Sequence, residues 1–148
     1  MGLGALSSLS LPPFNFFLIN FFTFSIFFIF LIKKLSSQSN KSLFFIYGWL
    51  FGFGYFLTNI YWVAISLTFD QNFNFLIPIA IIIIPAFLAL FYGVIAFFFY
   101  IFNLKNITSD FFLFSLLFGL IEYIRGNILT GFPWNLIVYS FVKNLDFI

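Results

Sequence analysis

The sequence predicts an all-α integral membrane protein with about four transmembrane helices behind a partial N-terminal helix. Three observations carry that prediction. Apolar residues make up 64% of the 148-residue chain and charged residues 7%, against roughly 45–50% and about 25% in ordinary soluble domains. Six basic and four acidic side chains are too few to clothe a water-facing fold of this length. The apolar residues also gather into long runs, separated by short polar stretches.

Each element follows from the length of its run, since crossing roughly 30 Å of hydrocarbon takes about 20 residues at 1.5 Å per residue. Residues 1–11 are apolar but too short to cross, and Pro12-Pro13 closes them. Residues 14–32 form the first full span, stopped by Lys33-Lys34, with a polar loop to residue 42. The second span is 43–69, closed by Asp70-Gln71-Asn72. The third, 73–104, is long enough to tilt, with Pro78 and Pro85 as expected kink sites. After the loop 105–110, in which Ser109 or Asp110 is expected to cap the next helix, the fourth span covers 111–129. The Gly and Pro in Thr130-Gly131-Phe132-Pro133-Trp134 call for non-helical backbone there. Residues 135–148 hold no further span.

Basic residues set the orientation. Lys33, Lys34 and Lys41 lie in one loop and Lys105 in the loop two spans later, so 33–42 and 105–110 are assigned to the cytoplasm and 129–148 to the opposite side. Residues 1–11 then form the outer end of a helix that enters from the cytoplasm. This suggests an incomplete N-terminus, and the C-terminus also reads as cut.

Composition excludes several chemistries. With no Cys and no His, the chain offers no thiol nucleophile, disulfide or imidazole base, and no usual transition-metal ligand, so neither metal nor cofactor is expected. A net charge of +2 gives no footprint for nucleic acid. The 30 Phe are read as the codon composition of an AT-rich genome rather than as a binding device.

Two segments carry more than hydrophobicity. In Tyr47–Leu67, Gly48 and Gly52 share one helix face with Gly54 nearby, a spacing that lets a neighbouring backbone approach closely. Asn59 is an amide inside a span, where it must face protein or a polar cavity. Tyr61 and Trp62 suit either such a cavity or the interfacial aromatic belt. In Leu116–Ser140, Glu122 and Arg125 are three apart on one helix face. They read either as an ion pair fixing two helices or as a polar site for a lipid headgroup. Arg125 could then grip a phosphate with its planar fork. Gly131, Phe132, Pro133 and Trp134 form the expected wall of a cavity, because irregular backbone at membrane depth needs protein or water to satisfy it.

These residues resemble the membrane part of the apolipoprotein N-acyltransferases. The resemblance rests on the Gly-Trp-Leu-Phe-Gly-Phe-Gly run at 48–54 with Asn59, Tyr61 and Trp62, on Glu-Tyr-Ile-Arg-Gly at 122–126, on Leu-Thr-Gly-Phe-Pro-Trp at 129–134, and on Tyr139-Ser140. It extends over nearly the whole chain. It implies a bacterial inner-membrane protein of eight helices carrying a periplasmic nitrilase-like domain. A Glu–Lys–Cys triad there would take an acyl chain from phospholipid as a thioester and pass it to the diacylglyceryl-cysteine of an apolipoprotein. On this reading residues 1–148 are the N-terminal transmembrane domain, the catalytic domain is absent, and a chain without Cys is inactive alone. Its partners in the longer enzyme would be phospholipid donor and apolipoprotein acceptor. Two other readings remain open: a stand-alone or decayed helical scaffold, and a small transport module built on discontinuous helices.

Overall fold

The computed structural model describes residues 1–37, 40–128 and 135–141. The described residues are helical: α1 (Gly2–Ser7), α2 (Leu18–Ser37), α3 (Lys41–Asn59), α4 (Tyr61–Leu67), α5 (Ile77–Phe102) and α6 (Ile107–Ile128), with 3-10 turns at Ser8–Ser10 and Gln71–Leu76. Three helical stretches, Leu18–Ser37, Asn74–Phe102 and Ile107–Ile128, are long and apolar enough to cross a membrane, and α3 with α4, bent by 47°, are so only when taken together, as a broken span or a re-entrant loop. Large apolar side chains such as Phe22, Ile82, Phe112 and Leu116 point outward, as a lipid-facing surface requires.

The fold is built around α3 and α5, which make the most extensive helix pair. Glycine is what lets them meet. A Cβ on Gly48 would lie 2.7 Å from Ala96 Cβ and press on the Tyr92 carbonyl, and one on Gly52 would lie 2.8 Å from Tyr92 Cβ. Gly54 faces the opposite way, against the Met1 carbonyl, while Gly4 meets the Phe51 carbonyl, so α1 is seated on α3 with equal closeness. Helices in lipid gain little from leaving the solvent, so this contact must come from van der Waals packing at short range. Phenylalanines from the other helices close around the pair. Phe27 stacks on Phe51 at 4.3 Å between ring centres, and Phe118 meets Phe24 at 5.0 Å and Tyr92 at 5.2 Å. A hydroxyl bond from Ser7 to Thr23, 2.6 Å, ties α1 to α2.

Four expectations about the elements need correction. The first span begins at Leu18, because the chain is still turning at Asn15 (φ 57°), and it runs helically past Lys33 and Lys34 to Ser37. The second span, 43–69, is not one helix. Ile60 leaves helical geometry (φ −103°, ψ 8°), and the Asn59 carbonyl is taken by the Asn135 side chain at 3.0 Å. Pro78 is no kink, since it occupies the first turn of α5, where its missing N–H costs nothing; Pro85 alone lies inside that helix. The cap of α6 is Asn106, whose Oδ1 accepts from the Thr108 and Ser109 amides at 3.0 and 3.4 Å. Asp110 instead closes the loop before it, accepting from the Leu104 amide and the Asn103 side chain, both at 2.8 Å.

The glycine contacts make a paired prediction. Gly48→Ala should lower stability against reversible SDS unfolding in mixed micelles by about 1–3 kcal/mol through overpacking. Gly119→Ala, at a site with nothing within 4 Å of the added Cβ, should leave stability unchanged or raise it by up to about 1 kcal/mol. Equal effects at both sites would contradict the packing account.

Candidate functional site

The connections sort the charged and amide side chains onto two ends of the bundle. Lys33 and Lys34 at the end of α2, Lys41 at the start of α3 and Lys105 between α5 and α6 share one end. At the other end α2, α5 and α4 begin or pass, α3 and α6 finish, and residues 135–141 return across them.

Glu122 and Arg125, one turn apart on α6, form the centre of that second end. Arg125 Nη2 donates to Glu122 Oε1 at 2.8 Å and Nε to the same oxygen at 3.2 Å. Arg125 is entirely buried, with Cζ 4.9 Å from the centre of the Phe56 ring, while Glu122 keeps 14% exposure. The second carboxylate oxygen accepts from the backbone N–H of Ile137 at 2.9 Å. A withdrawn charge of this kind is tolerated in a low-dielectric interior only when paired and hydrogen-bonded.

That bond is one of four holding 135–141 to the helices. Asn135 donates to the Asn59 carbonyl at 3.0 Å and its own carbonyl accepts from the Tyr55 hydroxyl at 3.1 Å, both at the end of α3. Asn20, buried in α2, donates to Ser140 Oγ at 3.1 Å, and Ser140 in turn donates to the Ile137 carbonyl at 2.7 Å. Phe141 packs edge-on against Phe17 and Phe21 at 6.0 and 6.1 Å. Gly126 lets Leu136 pass, since an added Cβ would lie 3.2 Å from Leu136 Cδ1. The Tyr92 hydroxyl faces the Glu122 carboxylate yet closes no hydrogen bond of good geometry with a described residue.

The residues singled out by sequence therefore divide. Glu122 and Arg125 are brought together as a buried pair, and Arg125 presents no surface to a ligand. Gly48, Gly52 and Gly54 serve helix contacts. Asn59, Tyr61 and Trp62 gather at the α3–α4 break, beside a cavity of about 340 Å³ that Asn135 and Tyr139 also line. Gly131, Phe132, Pro133 and Trp134 lie outside the described residues. Sequence reasoning missed Tyr55, Asn20 and Asn135, and named Ser140 only within the resemblance. For Asn20 there was a signal, an isolated amide within an apolar span. A second, apolar cavity of about 290 Å³ runs between α2 and α6, lined by Phe24, Phe28, Phe114 and Phe118 with Asn20 at one end.

Fold and site define a polytopic membrane domain, one end of which is a buried polar layer clamping a returning segment. The family model described as the apolipoprotein N-acyltransferase N-terminal domain matches residues 3–148. The apolipoprotein N-acyltransferase of Rhizobium etli is 38% identical over 95% of this chain. Those of Brucella melitensis and Rhodopseudomonas palustris are 36% and 37% identical over 93% and 96%. The chain belongs to the apolipoprotein N-acyltransferase family, within its N-terminal membrane domain. It spans 27% of the length of each of these relatives. No solved structure matches it significantly.

The ion pair makes the second prediction. Arg125→Ala strands the Glu122 charge and should cost about 3–5 kcal/mol in the same unfolding measurement. Adding Glu122→Gln should restore more than half of that loss, because Gln still offers Ile137 an acceptor. A double variant no better than Arg125→Ala alone would contradict the reading of the pair.

Proposed function

We propose that this chain is the membrane portion of an enzyme that transfers a fatty acyl chain from phospholipid to the N-terminal diacylglyceryl-cysteine of apolipoproteins. The single observation that carries the proposal is 38% identity to the Rhizobium etli enzyme over 95% of the chain. Residues 1–148 contain no Cys. On this reading they supply the scaffold and cavity wall, the acyl-carrying thiolate belongs to a nitrilase-like domain elsewhere in the longer protein, and these residues alone are inactive. The membrane is the bacterial inner membrane, with the lysine-bearing loops in the cytoplasm and the Glu122–Arg125 end on the periplasmic side.

Within that enzyme Glu122 and Arg125 act as positioning residues. They hold 135–141 across that end of the bundle, beside the approach that phospholipid and apolipoprotein would take. The complete burial of Arg125 favours this over direct grip on a phosphate. Asn59, Tyr61 and Trp62 would line the same approach.

A chimaera tests this. The Rhizobium etli acyltransferase with its corresponding segment replaced by residues 1–148 should N-acylate lipoproteins in cells depleted of their own enzyme. A cysteine placed at Ser36 should be shielded from impermeant maleimide until the cells are lysed. Loss of N-acylation at normal protein level would count against the function, and labelling of intact cells would reverse the orientation.

A further inference from the structure

The stretch Phe21–Phe28 of α2, Phe-Phe-Thr-Phe-Ser-Ile-Phe-Phe, is nearly repeated at Phe111–Phe118 of α6 as Phe-Phe-Leu-Phe-Ser-Leu-Leu-Phe. In each, the first, fourth, fifth and eighth residues share one helix face. From both helices those three phenylalanines and the serine line the same apolar cavity of about 290 Å³. The helices touch through their rings, Phe24 on Phe118 at 5.0 Å and Phe28 on Phe111 at 5.7 Å, while Ser25 and Ser115 stay exposed in the groove between them. Of the three single helices of membrane length, α6 and α2 are the two least buried.

Small residues between large ones let a neighbouring backbone approach closely, and hydroxyls in hydrocarbon bond across helices. A second observation lies at one end of the groove. Asn20 lines it, is only 5% exposed, and its Oδ1 has no hydrogen-bond partner among the described residues. Ser140 cannot supply one. Its single proton goes to the Ile137 carbonyl at 2.7 Å, so its oxygen accepts from Asn20 Nδ2 at 3.1 Å and the amide oxygen is left unmatched. An acyl chain in the groove would bring no donor to Asn20, whereas a helix side chain can.

We propose that this groove seats a further transmembrane helix of the longer protein, from the part beyond residue 148, which donates a side-chain hydrogen bond to Asn20 Oδ1. The chain spans 27% of the Rhizobium etli relative, so most of that protein's length lies elsewhere. Phe141 also lines the groove, packed on Phe17 and Phe21, so the chain leaves the described residues beside it. The inference rests on reading this chain as part of such a longer protein and makes no use of acyl transfer.

The test places p-benzoylphenylalanine at Phe111 or Phe21 of the chimaera with the Rhizobium etli enzyme, irradiates membranes, and locates the products by mass spectrometry. An intramolecular product with an apolar segment beyond residue 148 is expected, and its loss when the probe replaces Phe87, exposed on α5 outside the groove. Adducts to lipid alone, or to a second copy of the chain, would each overturn the inference. N-acylation is scored in the same cells. Acylation without this product sinks the groove assignment alone, and the product without acylation counts only against the enzyme reading. If the chimaera does not accumulate, the probe goes to the position matching Phe111 in the unaltered Rhizobium etli enzyme, where absence of the product overturns the inference equally. At the SDS fraction that halves the yield, Asn20→Leu should lower the ratio of docked to undocked helix by about 3- to 10-fold, the weight of one interhelical hydrogen bond in lipid. Ser140→Ala, which removes only the bond already made, should do less; equal effects would overturn the bond to Asn20.

Discussion

The Glu122 carboxylate accepts three hydrogen bonds from described donors, two from Arg125 and one from the Ile137 amide, and one end of the bundle is organised around it. In hydrocarbon a polar group has no water to fall back on, so each must find its partner inside the protein. Glu122 answers that demand for a guanidinium and for a backbone N–H at once. The ion pair neutralises a charge that would otherwise be costly at this depth, and the amide bond brings a segment from beyond α6 back over the helices. Asn135 and Ser140 then extend the same logic to α3 and α2, through Tyr55, the Asn59 carbonyl and Asn20.

Beneath that polar layer the bundle is held by shape. Gly48 and Gly52 bring α5 against α3, and Gly4 and Gly54 bring α1 against its other face. The abundant Phe fill what remains, in edge-on and stacked contacts around Phe51, Tyr92 and Phe118. The two layers depend on one another. Tyr55 belongs to the aromatic core through its ring and to the polar layer through its hydroxyl, and Phe56 supplies the face on which Arg125 lies.

Much of this was legible in the sequence. Spans are set by the length of apolar runs, and three to four membrane-length stretches with a short leading helix follow from counting. The Glu122–Arg125 pair is fixed by a three-residue spacing on a helix, and the small-residue spacing announces close packing. Other features leave no local trace. At the break the Asn59 carbonyl is taken by Asn135, a contact 76 positions along the chain. The Asn20–Ser140 bond spans 120 positions, and Ile137 contributes only a backbone amide, which any residue could. The cap of α6 was expected at Ser109 or Asp110, but Asn106 serves the helix while Asp110 serves the loop that turns at Lys105 (φ 58°).

The chain belongs to the apolipoprotein N-acyltransferase family and spans 27% of the length of the Rhizobium etli relative. The account stands on Glu122 holding Ile137. Amide hydrogen exchange on the chain in micelles, comparing wild type with Glu122→Leu, measures that directly. The account predicts a protected Ile137 amide in the wild type and at least about tenfold faster exchange across 135–141 in the variant, with the amides of α3 and α5 unchanged. Equal protection of Ile137 in both proteins would contradict it.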